Sequence, residues 1–228
     1  MKTIGLLGGT GWSSTIIYYK MLNELVQERL GGRHSAKMLL KSIDYHEIQS
    51  NYGKNHDRVA ALLEEELRGL IALKPDCILI GNMTLHKYYD VIKDRLCSDI
   101  PVFHALDLVV QRCQQQYYKK VLLLATKNTL EDGFFAKKLE QSNIVVTIPN
   151  HKEREEIHQI HGELVKDVIN EKSKKFFSDL IASYQELDAV ILGCTELPLV
   201  VQQENSLLPI IDPIRLQTRV AVDDALAV

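Results

Sequence analysis

The sequence lacks the hydrophobic segments of a membrane or secreted protein. No apolar run in its 228 residues approaches the roughly 20 residues that a membrane-spanning helix needs. The stretch between Lys2 and Gly8 is too short to form the apolar core of a secretory signal peptide. We therefore expect a cytoplasmic protein that does not bind a membrane.

Cysteine is scarce and basic charge is not concentrated. The four cysteines lie far apart and form no C-x-x-C pair, which argues against a disulfide framework or a zinc site. The formal net charge is −3 at pH 7, without a broad basic field that would hold nucleic acid. No G-x-S-x-G motif supports a serine hydrolase. The cysteines are Cys77, Cys97, Cys113 and Cys194.

Short runs rich in branched residues and Leu alternate with longer amphipathic stretches. This alternation is typical of βαβ units and a mainly parallel sheet. The predicted strands span residues 3–8, 37–44, 76–81, 102–105, 120–125, 144–148, 189–193 and 209–212. The predicted helices are one from Ser13 or Ser14 to Gly31, followed by 56–73, 129–141, 153–169 and 174–186.

An internal repeat organises the chain. Residues 76–86 align without gaps on residues 188–198, and the apolar pattern matches at every strand position. Each copy is followed by a strand led by a proline, Pro101 after the first and Pro209 after the second. The repeat predicts an α/β fold of two similar halves with parallel sheets.

The repeat also predicts the division of the chain and the place of a ligand. We assign residues 1–98 and 209–228 to a first domain and residues 99–208 to a second. Open parallel sheets bind ligands at the carboxyl ends of their strands. Because Asn82 and Cys194 occupy equivalent strand ends, we expect them to face each other across an interdomain cleft.

The segment Gly193-Cys194-Thr195-Glu196 ends an apolar strand of the second half. A thiol there can act as a base or nucleophile near neutral pH. Thr195 and the loop amides can hold a carboxylate, and Glu196 can orient a partner or accept a proton. The competing interpretation is a small buried cysteine. The repeat and the G-C-T-E context favour a catalytic role for Cys194 and Glu196.

The equivalent segment of the first half offers different chemistry. Asn82 stands in the place of Cys194, and Thr84 and His86 follow it with a hydroxyl and an imidazole. His86 can equally be a helix-start residue that is bonded to the backbone.

Two further motifs precede helices. The glycine-rich turn that contains Gly9 and Thr10 can hold an anion on its backbone N–H groups, or be a tight turn without a ligand. Thr126 belongs to the matching turn of the second half. The spacing of His158 and His161 can bind a metal, but no third ligand is evident, so we favour a solvated helix face.

Three segments carry recognisable motifs: GLLGGTGWSST at 5–15, LGGRHSA at 30–36 and GCTEL at 193–197. Together they resemble the cofactor-independent aspartate/glutamate racemase family, and the similarity runs from Met1 to the final helix. The resemblance implies two flavodoxin-like domains related by a pseudo-twofold axis, a homodimer, and no metal, pyridoxal phosphate or other cofactor. It also implies two thiols, one removing the α-proton and the other returning a proton to the opposite face.

The sequence departs from the family's first thiol motif, C-N-T-x-H. Asn82 replaces the thiol and Met83 replaces the motif's Asn, whereas Thr84 and His86 are kept. A carboxamide has no usable pKa near neutrality, so Asn82 can position a water or donate a hydrogen bond but cannot act as a base. Met83 makes the expected substrate wall more apolar, and His86 is expected to lie behind it.

We expect an amino-acid racemase for a small acidic amino acid or related carboxylate, with Cys194 as the base and an asymmetric site. Arg33, Lys127 and Lys166 are candidates to bind the distal carboxylate, and we place Lys166 in the site. Two alternatives stay open. One is a single-cysteine decarboxylase or isomerase for another carboxylic acid, and the other is a carboxylate-binding homologue with impaired catalysis.

Overall fold

The computed structural model describes residues 1–166 and 168–227. They form two compact units, one comprising Met1–Ala105 and Ile214–Val228 and the other Leu106–Pro213. Each unit has its own parallel sheet with helices around it. The predicted α/β class with two parallel sheets is confirmed. Among the described residues, no helix has the length and apolar character needed to span a bilayer.

Strands and helices alternate along most of the described chain. In order, the elements are β1 (Ile4–Gly8), α1 (Trp12–Leu30), β2 (Met38–Ser42), α2 (His46–Ser50), α3 (His56–Ile71), β3 (Cys77–Ile80), α4 (Leu85–Ile92), α5 (Ala105–Gln115), β4 (Lys120–Leu124), α6 (Lys127–Asp132), α7 (Phe134–Glu140), β5 (Val145–Thr147), α8 (His151–Leu164), α9 (Glu171–Ala182), β6 (Ala189–Leu192), β7 (Ile210–Ile211) and α10 (Pro213–Leu226).

The sheet of the first unit is ordered β2-β1-β3 and is covered on both faces. Side chains alternate between the faces of a strand. Ile4 and Leu6 of β1 accordingly pack with α1 and α10, whereas Leu7 packs with α3 and α4. Burial on both faces explains why β1 and β3 are apolar throughout.

The sheet of the second unit is ordered β5-β4-β6-β7. Leu122 and Leu124 of β4 pack in one core cluster with Leu192 of β6 and with the inner faces of α8 and α9. A short 3-10 turn, Leu197–Leu199, follows β6 and packs against α8. The loop between β6 and this turn, residues 193–196, is therefore held beside α8.

The internal repeat is visible in the pairing of the strands. Ile4 of β1 pairs with Cys77 of β3, and Val121 of β4 pairs with Ala189 of β6. The sequence alignment makes Cys77 and Ala189 equivalent, and each of them pairs with β1 or β4 of its own sheet. Each unit thus has the same parallel register at its centre, and Asn82 and Cys194 follow equivalent strands.

The repeated aspartates have equivalent hydrogen bonds as well. The side chain of Asp76 accepts a hydrogen bond from the backbone N–H of Thr3, at 2.6 Å. The side chain of Asp188 accepts one from the backbone N–H of Lys120, at 2.8 Å. Each carboxylate therefore ties the start of its own strand to the start of the neighbouring strand, β3 to β1 in the first unit and β6 to β4 in the second.

The unit boundaries lie a few residues later than the sequence suggested. Val102 pairs with Ile78, so the segment after residue 98 stays with the first sheet. Residues 210 and 211 form β7 and pair with β6, which keeps the segment after residue 208 with the second sheet. The predicted strand 102–105 is only an isolated bridge at Val102, because Ala105 begins α5.

The predicted helix 153–169 is shorter in the structure, where α8 ends at Leu164. Two other predicted helices differ in their capping or continuity. Helix α1 begins at Trp12 after Gly11 and has no side-chain cap, so Ser13 and Ser14 lie within the helix and do not cap it. The predicted helix 129–141 is two short helices, α6 and α7, which meet at Gly133 in a left-handed conformation. The short helix α2 and helices α4 and α5 were not anticipated.

Candidate functional site

The candidate thiol lies where β6 ends. The backbone N–H of Gly193 donates to the carbonyl of Leu124 at 2.7 Å, which fixes the end of β6 against β4. Cys194 comes next and is 8% exposed. Its Sγ donates a hydrogen bond to Oε2 of Glu196 at 2.8 Å. Cys194 is thus held by the side chain of Glu196, which lies two residues further along the chain.

Three side chains interact with the carboxylate of Glu196. Its Oε2 accepts a hydrogen bond from the hydroxyl of Thr195 at 2.8 Å, in addition to that from Cys194. Nε2 of His161, on α8, lies 3.6 Å from the same oxygen. The structure therefore brings together Cys194, Thr195 and Glu196, which the sequence predicted, and adds His161.

The pKa values of the thiol and the carboxyl move in opposite directions. Burial raises the pKa of Cys194 well above its usual value, and the charge of Glu196 and the hydrogen bond to it raise this pKa further. Burial alone would raise the pKa of Glu196, but its interactions with His161, Cys194 and Thr195 outweigh burial and lower this pKa to about 2. At neutral pH the pair is a thiol beside a carboxylate.

The spacing of the apolar residues of helix α8 places His161 at the edge of the buried face of the helix. Asn150 caps the helix, and Ile157, Ile160 and Leu164 form its buried face. His161 is four residues after Ile157 and three before Leu164, so it shares the edge of that face. The sequence interpretation of a solvated histidine face is therefore wrong for His161, and the spacing of these apolar residues is the signal that could have found it.

In the first unit, the side chain of Asn82 forms hydrogen bonds with other groups of the protein. Nδ2 donates to the backbone carbonyl of Thr10 at 3.2 Å and to the hydroxyl of Tyr45 at 3.1 Å. Oδ1 accepts from the backbone N–H of Leu85 at 3.0 Å. Both hydrogens of the carboxamide are thus donated, which leaves only the second lone pair of Oδ1 to accept from a ligand or water.

An aromatic cluster extends from Asn82. The hydroxyl of Tyr45 bonds to that of Tyr52, whose ring stacks on the ring of Tyr88. The hydroxyl of Tyr88 is 2.9 Å from Nδ1 of His56. Burial raises the pKa of Tyr45 to about 12, so it is a neutral phenol at physiological pH. Sequence reasoning missed this cluster, because its members come from separate helices and loops.

The glycine-rich turn is packed tightly against the strands. The backbone N–H of Gly9 donates to the hydroxyl of Thr15 at 2.8 Å, and that of Ile43 donates to the carbonyl of Gly8. The buried hydroxyl of Thr10 donates to the carbonyl of Gly81 at 3.0 Å. The polar groups of Gly9 and Thr10 thus also serve the fold, and their binding of substrate stays a prediction.

The residues that follow Asn82 differ in burial. Met83 is buried and Thr84 is half-buried at the start of α4. His86 is fully buried; its ring packs edge-on against that of His104, and its Nε2 lies 3.4 Å from Nε2 of Gln217. These contacts favour a supporting rather than a substrate-contacting role for His86.

The hydroxyl and lysine candidates of the second unit are spread out. The hydroxyl of Thr126 caps α6 by accepting from the backbone N–H of Thr129. Nζ of Lys127 donates a hydrogen bond to Oε1 of Glu155 at 2.8 Å. Lys166 is exposed in the turn that follows α8. Thr126 and Lys127 therefore each have a local structural partner. The assignment of Lys166 to the site stays a prediction.

Comparison with known proteins identifies this architecture. The family model described as Asp/Glu/Hydantoin racemase matches residues 7–221, which is nearly the whole chain. The chain belongs to this racemase family. An aspartate racemase homologue from Pyrococcus horikoshii has a solved structure that is 30% identical, with each chain fully covered and a TM-score of 0.89.

Two other racemases are similar to this chain at lower identity. The broad specificity amino-acid racemase RacX of Bacillus subtilis (strain 168) is 22% identical over 213 residues, which cover 92% of either protein. The Picrophilus torridus aspartate racemase is 20% identical, with a TM-score of 0.79 over 99% of this chain and 94% of the other. At this identity the likeness to a solved structure shows the fold alone.

Proposed function

We propose that the protein is an amino-acid racemase that exchanges the proton on the α-carbon of an acidic amino acid without a cofactor. Cys194 is the group that handles the proton on one face. The observation that carries this proposal is the buried hydrogen bond between the Cys194 thiol and Glu196, at the end of β6.

The reaction needs one bond broken and one formed at the same carbon. The Cys194 thiol first passes its proton to Oε2 of Glu196, which releases it to water. The thiolate then takes the α-proton, so the C–H bond breaks, its electron pair stays on carbon, and an S–H bond forms again. A proton delivered to the opposite face then gives the other enantiomer. In the reverse direction the Cys194 thiol supplies the proton, and its raised pKa keeps the thiol protonated for this step.

The first unit carries no thiol at the strand end that is equivalent to Cys194. Asn82 occupies the equivalent strand end, and both hydrogens of its carboxamide are donated to Thr10 and Tyr45. We therefore assign Asn82 a positioning role, with a water on the opposite face as the proton source. That Asn82 and Cys194 face a common substrate stays a prediction of the internal repeat.

The names of the relatives guide the choice of substrate. An aspartate racemase homologue and an aspartate racemase share the fold, and RacX is a racemase of broad specificity. Aspartate and glutamate are thus the first substrates to test. Lys166 or Arg33 is proposed to bind the distal carboxylate, since both are exposed, whereas Lys127 is paired with Glu155. The homodimer and the cytoplasmic location stay predictions.

A second candidate is a single-thiol decarboxylase. Both hydrogens of the Asn82 carboxamide are donated within the protein, and Met83 is buried. These observations favour a decarboxylase, because protonation of an enolate after loss of CO₂ needs only one acid. Substituted malonates are the corresponding substrates. A carboxylate-binding protein without turnover is the remaining alternative.

Exchange of the α-proton tests the proposal directly. The protein, with a chelator present, is incubated in D₂O with each enantiomer of aspartate and glutamate, and the α-proton signal is followed by NMR. We expect exchange that is lost in Cys194→Ser and kept in Cys97→Ser, the control at an exposed cysteine.

The outcomes separate the candidates. Accumulation of the opposite enantiomer supports racemisation, whereas exchange without it indicates that the second proton donor is missing. No exchange with any of the four compounds, but CO₂ release from substituted malonates, would replace the racemase by the decarboxylase. A ligand-induced rise in Tm without either reaction would leave only binding.

A further inference from the structure

Three side chains of different types converge at one point of the second unit. A ring nitrogen of His161, Sγ of Cys194 and a carboxylate oxygen of Glu196 all lie within 4.8 Å of one another. The sequence offered His161 as a metal ligand only through its spacing to His158, without a third ligand. The fold supplies two more ligands from the loop that follows β6.

We propose that His161, Cys194 and Glu196 form a binding site for a thiophilic divalent cation, and that Zn²⁺ fits it best. Zinc binds imidazole nitrogen, thiolate sulfur and carboxylate oxygen, and sites with three protein ligands keep a fourth position for water or a ligand. A thiolate among the ligands disfavours Mg²⁺ and Ca²⁺, which prefer oxygen.

Two of the three ligand separations are close to those that zinc requires. With bonds of about 2.0–2.3 Å, a tetrahedral zinc separates its ligand atoms by roughly 3.3–3.8 Å. Nε2 of His161 is already 3.6 Å from Oε2 of Glu196. Sγ of Cys194 is 2.8 Å from that oxygen and would have to move away by less than about 1 Å, which a side-chain rotation can provide.

Charge and access also suit a divalent cation. Coordination replaces the S–H bond of Cys194 with a sulfur–metal bond, and the proton leaves to water. The resulting thiolate and the Glu196 carboxylate then neutralise the two charges of the ion. The side chain of His161 is 23% exposed, so an ion can reach the ligands from its side.

Zinc binding has a consequence for turnover that rests on the proposed function. A metal on Sγ occupies the electron pair that would take the substrate proton. Zinc should therefore inhibit proton exchange, and a chelator should restore it. The site itself does not depend on this function, because binding is measured without a substrate.

The test uses the full-length protein with Cys97→Ser as the background, since Cys97 is exposed and can bind metal by itself. Metal-free protein is titrated with Co²⁺, whose absorption reports a thiolate ligand, and with Zn²⁺ against a chromogenic chelator. We expect one ion per chain, a thiolate-to-cobalt charge-transfer band, and a higher Tm with zinc.

Variants identify the ligands. Cys194→Ser should abolish the charge-transfer band, and Glu196→Gln and His161→Asn should each weaken zinc binding by at least about tenfold. His158→Asn is the matched control, because His158 is exposed on the same helix and should leave the affinity unchanged. The thermal unfolding of each metal-free variant shows whether it is folded.

Specific results would overturn the proposal. They are cobalt binding without a thiolate band, zinc affinity that is the same in folded Cys194→Ser, or equal losses in His158→Asn and His161→Asn. Failure of the zinc site leaves α-proton exchange in the presence of chelator intact, and failure of exchange leaves the zinc titration intact. The two proposals are therefore tested separately.

Discussion

Oε2 of Glu196 lies 2.8 Å from Sγ of Cys194 and accepts a hydrogen bond from the thiol. This contact adds to the effect of burial in raising the pKa of Cys194, and together with His161 and Thr195 it lowers the pKa of Glu196. The backbone N–H groups of Glu196 and Thr195 act in the other direction on the sulfur. Formation of a thiolate at Cys194 therefore depends on the charge and hydrogen bonding of Glu196.

Replacing Glu196 with Gln should lower the pKa of the Cys194 thiol. The substitution removes a negative charge but keeps an oxygen that can accept a hydrogen bond from the thiol. We expect the rate of alkylation by iodoacetamide to rise at a lower pH than in the parent, measured in the Cys97→Ser background. Cys77 and Cys113 are buried and have raised pKa values, so they contribute little signal. An unchanged or more alkaline midpoint would contradict this role of Glu196.

Glu196 should also make the stability of the protein depend on acid pH. Its pKa in the folded state is about 2, below the ordinary value of 4.5. The ionised form therefore stabilises the fold above pH 4.5, and this contribution is lost as the pH falls from 4.5 towards 2. A change of this size corresponds to about 3 kcal/mol in the free energy of unfolding.

Urea unfolding of the parent and Glu196→Gln between pH 2 and 6 provides the measurement. The difference in stability between the two proteins should shrink as the pH falls, because the parent carboxylate becomes protonated. A constant difference over this range would mean that folding does not lower the pKa of Glu196.

The fold was predictable where the chain repeats itself. The alignment of residues 76–86 on 188–198 gave the equivalent strands, and the pairing of Ile4 with Cys77 and of Val121 with Ala189 has the same register. The boundaries were less predictable. A two-residue strand such as β7 has too little sequence pattern to reveal which sheet it joins.

The candidate site was predictable only where its residues are adjacent in sequence. Cys194, Thr195 and Glu196 follow one strand, so their proximity needs no long-range information. His161 and Tyr45 reach their partners through packing of helices and loops, which one sequence does not encode locally. The donation of both Asn82 hydrogens likewise depends on Tyr45, which lies far from it in the chain.

Asn82→Cys should increase racemisation by supplying a thiol at the equivalent strand end. General acid–base groups contribute about 10²–10⁴-fold, so we expect a gain of about tenfold or more even with imperfect placement. Chiral chromatography of the product measures the gain. The substitution also removes the three hydrogen bonds of Asn82 and should lower stability by on the order of 1–3 kcal/mol.

Asn82→Ala is the matched control for the added thiol. It loses the same hydrogen bonds but supplies no proton donor. If Asn82→Cys racemises no faster than Asn82→Ala, the site does not use position 82 for the second proton. The proposed equivalence of the two strand ends in catalysis would then be wrong.

Gly9→Ala should destabilise the first unit through a backbone clash. Gly9 has a φ of +82°, and a Cβ there would lie 2.3 Å from the carbonyl oxygen of Ile43. Gly53 is the matched control, since its φ is +69° and a Cβ would meet nothing within 4 Å. A left-handed alanine costs about 1–2 kcal/mol at either position, and the clash adds to this only at Gly9.

Urea unfolding of the two variants separates these contributions. We expect Gly53→Ala to lose about 1 kcal/mol and Gly9→Ala at least about 2 kcal/mol more, because the oxygen it meets belongs to a backbone that cannot rotate away. The glycine-rich turn would then be required by the close approach of the chain at Ile43 as well as by any ligand. Equal losses in the two variants would show that the turn relaxes around a side chain, and would leave anion binding as the main reason for Gly9.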